Sequence, residues 1–166
     1  MFQGEITMYH IGDSVVYPMH GAGVIVSIEE REVLGEKKNY YIMEMPIGDM
    51  RVMIPMDNLQ QIGIRDVITT QKADEVIQDL KDYSEEETSN WNKRYRENMV
   101  RIKSGDIFEV SHVVKSLMLR DFEKGLSTGE RKMLNSAKQI LISELVMAKN
   151  LLQSDVEELL EGICSK

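Results

Sequence analysis

The hydrophobic period of this 166-residue chain changes once, near residues 62–68, and the change limits what each half can fold into. Upstream, short apolar runs alternate with glycine and proline. Val15, Val16 and Tyr17 lead to Pro18 and a Gly21-Ala22-Gly23 turn signal, and residues 24–28 resume a strand that becomes charged at Glu29-Glu30-Arg31-Glu32. Gly35 marks a hairpin, residues 40–43 a further strand, Gly48-Asp49 a turn, and residues 50–54 a last strand that stops at Pro55. Strands of this length and spacing predict a small, strongly bent antiparallel sheet or barrel.

Downstream the period is helical. Ala73, Val76, Ile77 and Leu80 fall at i, i+3, i+4, i+7, one face of a first helix, before Ser84-Glu85-Glu86-Glu87-Thr88 breaks the pattern. A second helix is expected from Ser89 to Lys103 and a third, with Val110, Val113, Val114 and Leu117, up to Gly125. Ser127 and Glu130 form a capping-box pair before a long fourth helix striped by Met133, Ala137, Ile140, Leu141, Leu145 and Ala148. Asp155 is the expected cap of a short fifth helix bearing Val156, Leu159 and Leu160. The fold class is therefore α+β, with a β domain over residues 1–65 and an all-α domain of about five helices over residues 66–166. No Ser- or Gly-rich linker separates them, so the halves are expected to lie close together.

Composition excludes several functions. No apolar run approaches the ~20 residues of a membrane span, and no basic-then-apolar leader opens the chain. Cys164 is the single cysteine, which rules out an internal disulfide and points to the cytoplasm. His10, His20 and His112 lack metal-ligand spacing, so no metal or other cofactor is expected. His20 reads as a turn residue and His112 as a helix-flank residue. Phosphate-loop, GxSxG and dinucleotide motifs are absent, the Glu85-Glu86-Glu87 cluster suits a helix N-terminus, and the twelve methionines read as core filler. A small-molecule substrate has no site here, and the chain is expected not to be an enzyme.

The net charge is -8, shared equally: residues 1–65 carry 5 basic and 9 acidic side chains, residues 66–166 carry 15 and 19. Against that background residues 90–103, NWNKRYRENMVRIK, stand out: Lys93, Arg94, Arg96, Arg101 and Lys103 face one acid, Glu97, beside Trp91, the only tryptophan. Cations neutralise phosphates, and an exposed indole stacks on bases or wedges between them. Trp91, Tyr95 and Met99 also share one helix face, which favours core positions for Tyr95 and Met99 and leaves Trp91 open between core and surface. By chemistry alone, DNA binding is the minority reading of a basic helix face.

Five segments in order resemble the CarD/CdnL family: GDSVVYPMHGAGVI (residues 12–25), IPMDN (54–58), NWNKRYREN (90–98), LRDFEKGLSTGERKML (119–134) and AKQILISEL (137–145). The first two are also similar to the polymerase-interacting domain of the transcription-repair coupling factor. The resemblance implies a Tudor/SH3-like β domain that docks on the RNA polymerase β subunit. It also implies a helical domain whose tryptophan, here Trp91, wedges into the minor groove at the upstream edge of the promoter bubble without reading sequence. Asn90, Lys93, Arg94, Arg96 and Arg101 would accompany it on DNA. The family's polymerase-facing basic positions fall on Arg31, which matches, and on Met53, which does not; Arg51, two residues away on the same strand face, is the expected substitute. A monomer is expected. Two rival readings remain: a protein-only polymerase adaptor whose helical domain binds another protein, and a helix-turn-helix repressor.

Overall fold

A computed structural model of the chain describes residues 9–84 and 89–165. The Glu85-Glu86-Glu87-Thr88 break lies outside the described residues. The architecture is α+β, a five-stranded antiparallel sheet followed by helices.

The strands are β1 (Ser14–Tyr17), β2 (Gly21–Val33), β3 (Glu36–Glu44), β4 (Arg51–Pro55) and β5 (Arg65–Asp66), in the order β4-β3-β2-β1-β5. The charged stretch at Glu29 continues as strand, so β2 is 13 residues long and a bulge between Ile25 and Ser27 bends it. Leu34 and Gly35 turn the β2–β3 hairpin with φ of 53° and 82°. Positive φ at both positions is the two-residue turn that matches strand twist, at the cost of strain at Leu34. Alternation buries Val15, Ile25, Tyr41, Met43 and Ile54 on one side of the sheet. Two elements have no periodic signal because they are too short for one: β5 and α1 (Leu59–Ile62).

Gly21 and its neighbours are not the turn their composition suggests. The turn lies at residues 18–20, and Gly21 opens β2 with φ 125°, pressed against a helix. A Cβ there would stand 2.5 Å from Ser143 Oγ and 2.8 Å from Met45 Cε, so the glycine permits close approach.

The helices are α2 (Thr70–Asp82), α3 (Trp91–Lys103), α4 (Ile107–Glu123), α5 (Thr128–Lys149) and α6 (Gln153–Cys164). Side chains of Thr69, Asn90, Asp106 and Ser127 cap the first four of these by accepting backbone N–H groups. Asp155 does not cap α6: Leu152 precedes that helix without a side-chain bond, and Asp155 sits in the first turn, where its charge complements the helix dipole. Ala73, Val76, Leu80, Val113, Val114, Ala137, Leu141, Leu145, Val156 and Leu160 join in one apolar cluster. Lys115 is buried among them and satisfies its charge at the end of α2, donating to the carbonyls of Leu80 (2.6 Å), Lys81 (3.2 Å) and Tyr83 (2.8 Å).

The two halves form a continuous contact centred on α5. Ala22 N donates to Ser143 Oγ (2.9 Å) and Gln139 Nε2 to the His20 carbonyl (3.0 Å), while Ile47 from the β half enters the helical cluster. Glu144, fully buried, receives both Nη1 and Nη2 of Arg65 at 2.7 and 2.8 Å and the Ile68 N–H at 3.0 Å. A buried carboxylate persists only when paired and hydrogen-bonded in this way. The expected proximity of the halves thus has a specific fastening.

Candidate nucleic-acid interface

Helix α3 begins at Trp91 because Asn90 stops the preceding chain: its Oδ1 accepts the Lys93 N–H at 2.9 Å. Trp91 is therefore a first-turn residue, 41% exposed, while Tyr95 and Met99 pack against the helical cluster. The choice left open for Trp91 falls on the surface side.

The indole is nonetheless held. One face stacks on Tyr95, with ring centroids 4.9 Å apart and planes at 19°, and its Nε1 donates to Ser127 Oγ at 3.1 Å. Ser127 caps α5, so the bond ties the first turn of α3 to the first turn of α5.

The basic residues divide sharply. Lys93, Arg96 and Lys103 are exposed. Arg94 is not: it is 8% exposed, and its Nε meets Glu130 Oε2 at 2.7 Å, with Arg120 Nε 3.8 Å from the other oxygen of that carboxylate. Arg94 therefore departs from the expected DNA-facing set, because its charge is spent neutralising a buried acid. The capping box changes meaning with it. Ser127 Oγ accepts the Glu130 N–H at 3.2 Å and donates to Glu130 Oε1 at 3.5 Å, while the other carboxylate oxygen takes Arg94 Nε at 2.7 Å. Arg101 is partly buried, 3.6 Å from Glu109 and donating to the Tyr83 hydroxyl at 3.3 Å, so it too contributes less to the outer face.

On the sheet, Arg31 pairs in register with Lys38, Met53 with Ile42 and Arg51 with Glu44. Residues 38, 42 and 44 share one face of β3, so Arg31, Met53 and Arg51 share it as well. Both arginines are exposed and lie beside acids, Arg31 Nη2 at 2.6 Å from Glu29 and Arg51 Nη2 at 3.0 Å from Glu44. The Glu29 carboxyl is held below its ordinary range, chiefly by the hydrogen bond from Arg31, with Arg51 adding a smaller attraction.

His10 is exposed beside Asp13, whereas His20 and His112 make ring contacts. His20 sets its ring edge-on to Tyr17 at 4.4 Å; His112 stacks on Tyr83 at 3.7 Å and bonds Asp79 at 2.6 Å. Among the described residues no group of three His, Cys, Asp or Glu is placed to hold a metal ion, and no helix is long and apolar enough to cross a membrane. Sequence reasoning placed Glu130 only in a capping box and missed its Arg94 partner, and it missed Glu144, Ser143 and Lys115, whose roles depend on partners remote in the chain.

Two family models match in the same order as the two halves: the CarD-like/TRCF RID domain over residues 9–68 and the CarD C-terminal domain over residues 75–161. The chain belongs to the CarD family. The chain is 39% identical over 150 residues to YdeB of Bacillus subtilis (strain 168), whose name proposes a transcription factor, across 90% of this chain and 98% of that one. A solved structure, CdnLNt from Myxoccoccus xanthus, is 33% identical over 40% of this chain and 94% of its own, and its TM-score of 0.32 is too low to speak for the fold. CarD-family proteins are non-enzymatic transcription regulators, and the β half carries the family's RNA polymerase-interacting module.

Proposed function

We propose that this CarD-family chain docks through residues 1–65 on the RNA polymerase β subunit and uses residues 66–166 to stabilise the promoter open complex. Trp91 enters the minor groove at the upstream edge of the bubble, and Lys93 and Arg96 neutralise flanking phosphates. The protein acts as a monomer in the cytoplasm. The observation that carries the reading is Trp91 itself: a large indole, 41% exposed, in the first turn of a helix that also exposes the cations Lys93 and Arg96. Arg31 and Arg51, on one face of the sheet, supply the charged part of the polymerase contact, with Met53 between them in register.

Net charge supports a conditional DNA binder. At -8 the whole chain repels duplex at long range, so docking on polymerase has to raise the local concentration of α3 at the DNA. A wedge favours DNA that is already unstacked over intact duplex, and that differential affinity is what shifts a promoter toward its open form. Base–aromatic stacking is worth about 1–3 kcal/mol, of which about 1.4 kcal/mol already gives roughly tenfold in lifetime.

A promoter footprint with polymerase, with and without the protein, tests the reading. The expected result is added protection at the upstream bubble edge with slower dissociation. Polymerase binding with an unaltered footprint would replace it with the protein-only adaptor.

A further inference from the structure

We propose that Ser127 makes the Trp91 wedge indifferent to base identity by occupying the only hydrogen-bond donor the indole has. Ser127 is thus a specificity-determining residue for the DNA contact. The inference rests on the DNA reading above and deepens it.

Indole carries a single donor, Nε1–H, and no acceptor. In the minor groove, A·T and T·A pairs present only acceptors at adenine N3 and thymine O2, whereas G·C adds the guanine N2 amino donor. A tryptophan entering that groove with a free N–H would be drawn to the acceptor-only pairs and opposed by the guanine amino group. It would read A·T against G·C.

Here the donor is engaged. Trp91 Nε1 meets Ser127 Oγ at 3.1 Å, and that oxygen has no capacity to spare: it accepts from Trp91, accepts from Glu130 N at 3.2 Å and donates to Glu130 Oε1 at 3.5 Å. A hydroxyl has two acceptor lone pairs and one proton, so the set is complete. Glu130 is itself fixed by Arg94 at 2.7 Å, and the Tyr95 stack holds the indole plane. Turning Nε1 toward a base would break the Ser127 bond and disturb the stack together. What remains for DNA is an aromatic surface without a donor, which discriminates only by how easily a base step unstacks.

The test uses polymerase holoenzyme, the full chain, and two promoters that differ only in the base pair at the upstream bubble edge: guanine·cytosine, or inosine·cytosine, which lacks the minor-groove amino group. Each variant is scored by the ratio of open-complex lifetime with and without protein, so that intrinsic melting differences cancel. Wild type should give the same ratio on both templates. Ser127→Gly frees the donor, and glycine is tolerated at a helix N-cap at small cost. It should stabilise the inosine promoter more than the guanine promoter, by on the order of three- to tenfold, the worth of one net hydrogen bond. Ser127→Thr keeps an acceptor and should match wild type. Ser127→Gly combined with Trp91→Phe keeps a ring without a donor and should lose the acquired preference. Emission from Trp91, the sole tryptophan, reports whether Ser127→Gly leaves the ring in its stacked site.

Equal ratios for Ser127→Gly on the two templates with Trp91 still stacked, or a preference already present in wild type, would overturn the assignment. Failure of the underlying reading looks different: Trp91→Ala would then leave the lifetime unchanged on both templates.

Discussion

Arg94 and Glu130 close a buried ion pair at 2.7 Å, one helical turn inward from the exposed Trp91. The pair fixes the start of α3 against the start of α5, so the presentation of Trp91 depends on a charge that never reaches solvent. Breaking it leaves an uncompensated buried charge, which costs about 3–5 kcal/mol. Glu130→Gln or Arg94→Glu should lower stability by that order in urea unfolding.

The exposed cations should behave in the opposite way. Lys93→Glu and Arg96→Glu should change stability by less than about 0.5 kcal/mol. Each should lower polymerase-dependent DNA affinity by a similar factor on every promoter. With Arg94 turned inward and Arg101 partly buried, two residues remain close to Trp91, so log K against log salt should fall with a slope near -2, each reversal reducing it by about one. A titration at several salt concentrations with polymerase present checks this. A slope indifferent to both reversals would move the phosphate contact elsewhere.

How much of this was legible follows from where the partners lie. The stripes of α2, α4 and α5 are local, so Val76, Val113, Leu141 and Leu145 could be placed from spacing. Arg94 and Asn98 share the face of Ile102, yet no hydropathy pattern marks them as buried, because their burial depends on a partner such as Glu130, 36 residues beyond Arg94. Arg65 and Glu144 are separated by 79 residues, and Gly21 owes its identity to Ser143 on another element. Composition names such residues as charged or flexible and is silent on the contact that needs them. The exposure of Trp91 was undecidable because i, i+4, i+8 spacing places it on the same face as Tyr95 and Met99. Only the position of the helix start, one residue past Asn90, separates them.

The Arg65–Glu144 fastening should make the two halves unfold together. Wild type should show a single cooperative urea transition by far-UV dichroism and by Trp91 emission. Glu144→Gln removes the charge that Arg65 and the Ile68 N–H share, and should destabilise by about 3–5 kcal/mol with the two probes no longer coincident. Coincident transitions at unchanged midpoint would show that the fastening contributes nothing.

Cys164 offers a probe of α6. Burial pushes its thiol pKa up to about 11, above its ordinary value, so near pH 8 only about one molecule in a thousand holds the thiolate. Native protein should resist thiol reagents at that pH, and reaction should appear only as urea releases α6. Rapid labelling of the native chain would contradict the observed packing.

Reversing Arg31 and Arg51 together should weaken binding to the polymerase β subunit at least several-fold while leaving the fold intact, since both are exposed. Reversal also sets like charges beside Glu29 and Glu44. A pull-down with the full chain is sufficient, and unchanged affinity would place the docking surface elsewhere on the β domain.

Trp91 carries the DNA contact, and the lifetime of a promoter open complex with wild type against Trp91→Ala measures that contribution. Because the ring is partly exposed and anchored by one stack and one hydrogen bond, the substitution should cost the fold far less than the ~3–5 kcal/mol of a buried tryptophan. Polymerase binding should persist, while the added open-complex lifetime, roughly tenfold for one stacking contact, should disappear. A Trp91→Ala protein that is folded, bound to polymerase and still prolongs the open complex as wild type does would contradict the account.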